Sequence, residues 1–139
     1  MEYRKFGQAY VIRMDRGEEV MENLTEICRR ENIGLAAVQA IGACDRAVLG
    51  LYDVERKEYH RKTLTGAMEI TSLLGTVTQK DGAPYLHLHA TLCDENLVSR
   101  GGHVNEITIS ATCEMVVTPI SGQVGRTLDP VTGLNIFQF

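Results

Sequence analysis

Three of the four histidines in this chain fall between positions 87 and 103, as His87-Leu88-His89 and then Gly101-Gly102-His103. In a β-strand, successive side chains point to opposite faces, so His87 and His89 share one face while Leu86, Leu88 and Ala90 take the other. Two imidazoles at that spacing can grip one metal ion. The segment from Cys93 to Gly102 returns the chain, and Gly101-Gly102 permits backbone dihedrals and close approaches that a side chain forbids. His103 sits where the chain re-enters the sheet, and it reaches the same ion if the two strands pair. Three neutral imidazoles suit Zn²⁺, with Ni²⁺, Fe²⁺ or Co²⁺ competing on availability, and three protein ligands leave a fourth position for water or a ligand. The competing reading is a solvated strand face, or histidines bonded to carboxylates at a subunit contact, with no metal. His-x-His alone is common on strands, and it is the added Gly-Gly-His within one hairpin that favours the metal. His60, set among the charges of Lys57, Glu58, Arg61 and Lys62, reads as a surface histidine.

Two carboxylates interrupt apolar strands, Glu69 in "AMEITSLL" and Glu114 in "TCEMVV". Beside a metal, either could orient an imidazole or act as a general base, and Glu69, with Ser72 near it, is the candidate catalytic residue. For both, the alternative is an outward-facing residue on an alternating strand.

These groups need elements to position them. Val20, Leu24, Ile27 and Cys28 recur at i, i+4, i+7 and i+8, one apolar stripe of a helix. Asp15 is the expected N-cap with Glu18 three residues on, Arg29 and Arg30 suit the C-terminal end of the dipole, and Asn32 to Gly34 supply the stop. Most of the remainder alternates or is β-branched: "QAYVIRM", "LAAVQAIG", "AVLGLYD", "MEITSLLGTVTQ", "PYLHLHATL", "NEITISATCEMVVTP" and "LNIFQF", with a hairpin turn at Asp81-Gly82 and another turn over residues 53–57. The expected fold is α+β, a curved, mostly antiparallel or mixed sheet of six to seven strands with one main helix packed on it. Residues 1–139 fit one domain.

Composition narrows the function classes. The hydrophobic share of 44% and charged share of 23% are those of an ordinary globular domain. No apolar run approaches the roughly 20 residues of a membrane helix, and the N-terminus lacks a signal-peptide stretch, so a cytoplasmic location without membrane contact is expected. Cys28, Cys44, Cys93 and Cys113 form no C-x-x-C pair and read as buried free thiols. A formal net charge of −4 opposes nonspecific DNA binding, which depends on Lys and Arg neutralising phosphates. The basic pairs Arg29-Arg30, Arg56-Lys57 and Arg61-Lys62 have acidic neighbours and read as solvated faces.

The same segments resemble the PPC domain, the plant-and-prokaryote conserved domain, over nearly the whole chain. Asp15-Arg16-Gly17-Glu18-Glu19 resembles the family's R-x-G-E/D approach to its helix, and Gly66-Ala67-Met68-Glu69-Ile70-Thr71-Ser72-Leu73-Leu74-Gly75 resembles its G-x-x-E-I-x-S-L-x-G strand. Leu86-His87-Leu88-His89 and Gly101-Gly102-His103 resemble its L-H-x-H and G-G-H pair. The resemblance implies a curved sheet with a flanking helix, a homotrimer, and a metal held by His87, His89 and His103. Asn96 stands where the family often has Gly, a change that Asn's tolerance of left-handed dihedrals accommodates. The R-G-R-P AT-hook of the plant proteins is absent, so the family's DNA-binding and transcription-associated label transfers poorly.

Two functions follow as expectations. One is a homotrimeric, zinc-class metal-binding module whose metal is structural or holds a small-molecule ligand, with weak or no DNA binding. The other is a zinc-dependent hydrolase or lyase using the open position with Glu69 as base. Assembly has a physical motive as well. One helix masks only part of such a sheet, leaving apolar strands such as "LAAVQAIG" and "TISATCEMVV", and "LNIFQF" as an edge, for identical copies to cover.

Overall fold

The computed structural model describes residues 1–139. The elements run β1 (Glu2–Phe6), β2 (Ala9–Asp15), α1 (Val20–Arg30), β3 (Ala36–Asp53), β4 (Glu58–Lys80), β5 (Ala83–Asp94), β6 (Ser99–Pro119), β7 (Gly125–Leu128) and β8 (Asn135–Gln138). A six-stranded sheet has the order β1-β2-β6-β3-β4-β5, and β7 and β8 form a separate two-stranded sheet. Every pairing is antiparallel, so the mixed alternative does not occur, and the main sheet has six strands, within the expected six to seven, with the β7–β8 pair in addition. One helix beside a dominant sheet agrees with the α+β expectation in its broad form.

The sheet curls because its strands are bulged. Register shifts interrupt β3–β4 between Ala40 and Gly42 and between Cys44 and Arg46, and β4–β5 between Ile70 and Ser72. Each bulge adds local twist and bend. The last strand of the order then meets the third: residues 89–93 of β5 pair with 99–103 of β6, which closes β6-β3-β4-β5 on itself. "LAAVQAIG" and "AVLGLYD" are one bent strand, β3, paired on both sides by β4 and β6. The apolar segments "LAAVQAIG" and "TISATCEMVV" are therefore inner strands with no open edge, which leaves only a face of theirs for another copy to cover. "LNIFQF" is no edge of the main sheet either, since β8 pairs only with β7.

Helix α1 packs on β5 and β6 through the predicted stripe, with Val20, Leu24, Ile27 and Cys28 all buried. Each of the aliphatic side chains contributes on the order of 2 kcal/mol of transfer free energy. The cap is one residue beyond the expected pair: Glu19, in extended backbone, accepts from the Glu22 N–H. Asp15 ends β2 instead, where its N–H donates to the Glu18 carboxylate at 2.7 Å. Glu19 also accepts from the Ile107 N–H at 3.0 Å, and Gly17 and Glu18 exchange backbone hydrogen bonds with Ile109. The helix approach thus occupies the β6 edge that would otherwise lie open. No helix is long and apolar enough to cross a membrane.

Candidate metal centre

The β5 strand alternates as its sequence requires. Leu88, Ala90 and Leu92 are buried in the core, and His87 and His89 take the opposite face. Two turns fix where those imidazoles stand. Asp81 and Gly82 both have positive φ, 52° and 78°, the two-residue hairpin geometry that matches strand twist. It locks Lys80 opposite Ala83, and so Thr76 opposite His87 and Leu74 opposite His89.

At the other end, Asp94 organises a tight return that is shorter than the expected Cys93 to Gly102 segment. Its Oδ1 accepts from the Asn96 and Val98 N–H groups, both at 3.0 Å, and its Oδ2 from Arg100 at 2.8 Å. The Arg100 guanidinium and these N–H donors hold the Asp94 carboxyl below the usual carboxylate range. The left-handed residue in this turn is Leu97, with φ 59°, rather than Asn96. The return pairs Cys93 with Ser99 and, four positions on, His89 with His103.

The glycine pair before His103 is there for closeness alone. Neither Gly101 nor Gly102 has positive φ. A Cβ at Gly102 would lie 2.8 Å from the Gly50 carbonyl oxygen, and one at Gly101 would lie 3.0 Å from that of Ala90. Bare backbone at 101 and 102 lets β6 lie between β5 and β3 where His103 must emerge. Gly75 has the same function on β4, since a Cβ there would strike the His87 carbonyl and come within 2.8 Å of the Leu88 Cα.

The three imidazoles converge. One nitrogen from each of His87, His89 and His103 lies within 4.8 Å of the other two, and the ring centroids are 5.2, 5.2 and 5.5 Å apart. The Nε2 atoms of His87 and His89 are 3.3 Å apart. Two nitrogens that share a tetrahedral zinc ion at its usual bond length stand about 3.3 Å apart, so this spacing fits the ion. Burial, followed by the neighbouring His87 and His89, pushes the His103 pKa down to about 4. Burial, then His89 and Arg126, lowers that of His87. Both rings are therefore neutral at pH 7, the form that ligates. The Tyr59 ring meets His103 edge-on at 6.1 Å, and its hydroxyl accepts from Asn105 at 2.7 Å.

Around the histidines lies a cavity of about 1060 Å³ whose walls come from β3, β4, β5, β6 and the β7–β8 hairpin. Ser72 lines it, and Glu69 does not. Glu69 is exposed on β4 opposite Cys93, four strand positions from His89, roughly 13 Å along β5. Glu114 is exposed on β6, in register with Arg13 and Ile41, away from the histidines. His60 is a surface residue 3.9 Å from Glu58. The sequence reading missed Tyr59, Tyr85, Arg126, Asn135 and Phe137, all cavity residues. No spacing signal marks them, because the bend of β3–β4 and the separate terminal hairpin bring them in.

The Plants and Prokaryotes Conserved (PCC) domain matches residues 1–121. No curated protein matches the sequence. Among solved structures, a candidate DNA-binding protein from Bacteroides thetaiotaomicron is 30% identical with a TM-score of 0.96, covering 99% of this chain and 96% of its own. A metal-containing protein from Archaeoglobus fulgidus is 35% identical with a TM-score of 0.90, covering 99% and 97%. A plant- and prokaryote-conserved protein from Pyrococcus horikoshii is 28% identical with a TM-score of 0.87, covering 99% and 95%. The motifs, the curled sheet and the matched span agree: this chain belongs to the Plants and Prokaryotes Conserved domain family.

Proposed function

We propose that the chain, acting as one PPC-type unit over residues 1–139, is a homotrimeric metal-binding module in which His87, His89 and His103 hold one zinc-class ion. The observation that carries this reading is the convergence of three imidazole nitrogens within 4.8 Å on a face free of carboxylates. When bound, the ion supplies a Lewis-acidic position that the cavity leaves accessible to a small ligand. The chain's own contribution is to hold His87 and His103 neutral and to fix all three imidazoles on paired strands. The metal content named for the Archaeoglobus relative supports the same reading.

Assembly as a trimer is supported by what surrounds the site. Leu51 and Leu74 line the cavity and are 68% and 56% exposed, and Ile41 on the same sheet is 58% exposed. Leu51 and Leu74, so open at the rim of a binding cavity, favour burial against identical copies, which couples assembly to the metal. The hydrolase or lyase reading needs a proton acceptor beside the ion. Within one chain Glu69 lies outside the cavity, so a base would have to come from a neighbouring copy.

A DNA-binding role, suggested by the name of the Bacteroides relative, meets a net charge of −4 here. Some of the basic residues are also answered locally, Arg56 by Asp53 at 3.8 Å and Arg30 by Glu26 at 3.6 Å. Light scattering before and after chelation tests the proposal. A mass near three times 15.4 kDa that carries metal and melts at a lower temperature once chelated is expected, and a metal-loaded monomer at micromolar concentration contradicts the assembly.

A further inference from the structure

The cavity that holds the three histidines has a second pole. Arg126, on β7, lies with its guanidinium carbon 4.7 Å from the Tyr85 ring centroid and 4.4 Å from that of Phe137, a cation between two aromatic faces. Its Nε donates to the Thr78 hydroxyl at 2.9 Å and its Nη1 to the Asn135 carbonyl at 3.1 Å. Its Nη2 is buried and donates to nothing, the one buried side-chain polar atom of the chain without a partner. Thr78, wholly buried, is itself satisfied, since its hydroxyl donates to the Tyr85 carbonyl. A buried charged donor without an acceptor is costly, and the aromatic faces leave only the in-plane edge of the guanidinium to accept a partner.

The rest of the wall states what that partner is. The chain carries 18 Asp and Glu, yet none of them lines this cavity. Its charged and titratable lining consists of Arg126, the three histidines and tyrosines, and the remaining contacts are mostly apolar, including Leu134, Ile136 and Phe137 from the terminal hairpin. An anion is attracted and nothing in the wall repels it, while an apolar body gains by leaving water.

We propose that the cavity binds a small organic carboxylate, its carboxylate received by Arg126 and its apolar body lying against the β7–β8 hairpin. The inference rests on the metal reading only in that the ligand's other end faces the histidines. Hairpin β7–β8, which carries Arg126 and Phe137, lies beyond the residues matched by the family domain.

Calorimetric titration of the full-length protein tests this, with benzoate and 3-phenylpropanoate as probes and their neutral amides as controls. Zinc content is measured on the same samples, and the titration is repeated after chelation. At least one acid is expected to bind about tenfold or more tightly than its amide, the scale of one charge-assisted hydrogen bond. Arg126→Gln is expected to remove that preference with zinc content unchanged, and Arg126→Lys to retain part of it. Acid and amide binding equally well, neither binding, or a folded R126Q protein that still prefers the acid would each overturn the proposal. Should R126Q fail to fold, the acid–amide comparison on the wild type decides alone. Absent zinc with a retained acid preference would sink the metal reading and leave this one standing.

Discussion

His89 and His103, fourteen positions apart in the chain, stand directly opposite each other across the β5–β6 pair, with ring centroids 5.5 Å apart. That register is set by the Asp94 turn, and it is also the pairing that closes the curled sheet on itself. Site and closure therefore share the same hydrogen bonds, and a change that loosens one loosens the other.

Gly75 gives the first test of that coupling. Adding one methyl in Gly75→Ala forces β4 away from the His87 carbonyl and the Leu88 backbone, an overpacking expected to cost about 1–3 kcal/mol. Chemical denaturation should show the loss, and metal retention should fall with it because His87 moves. Gly7→Ala is the control for a glycine with open space around it, although its φ of 58° adds a strain that owes nothing to packing.

Thiol reactivity tests the core. Burial pushes the Cys28 thiol up to about 12 and those of Cys44 and Cys113 up to about 11, so all three are protonated and shielded at neutral pH. Cys93 is only partly buried, and all four thiols are free. A disulfide reagent should titrate one thiol per chain in the native protein and four in denaturant. Rapid reaction of a second thiol under native conditions would contradict the packing.

Much of this arrangement was legible in the sequence, and the parts that were not have physical causes. Period-two alternation placed His87 and His89 on one face, and period 3.6 placed Val20, Leu24, Ile27 and Cys28 in the core, because both patterns are local. The bulge around Cys44 breaks the alternation of β3, so a single bent strand reads as two. Glu19 caps the helix in place of Asp15 because Asp15 is held at the end of β2 by pairing with β6. Arg126 and Phe137 were silent for a different reason. The strand that holds Phe137 is legible as "LNIFQF", but β7, which holds Arg126, has too little pattern to read, and the two matter through packing against each other and Tyr85, far away in sequence.

Binding to DNA gives the next test. With a net charge of −4 and some of its basic side chains, Arg30 and Arg56 among them, paired to acidic neighbours, affinity for an A·T-rich duplex at physiological salt should be weaker than about micromolar and indifferent to sequence. Fluorescence anisotropy with A·T-rich and G·C-rich duplexes measures it. Sequence-dependent binding at nanomolar protein would contradict the expectation.

Elemental analysis of the purified protein reads out whether His87, His89 and His103 hold one ion. Close to one zinc-class ion per chain is expected in the wild type, with loss of that ion in His103→Ala and a melting temperature that zinc raises in the stripped wild type but leaves unchanged in the variant. Wild-type protein that contains no metal and shows no thermal response to added zinc would contradict it.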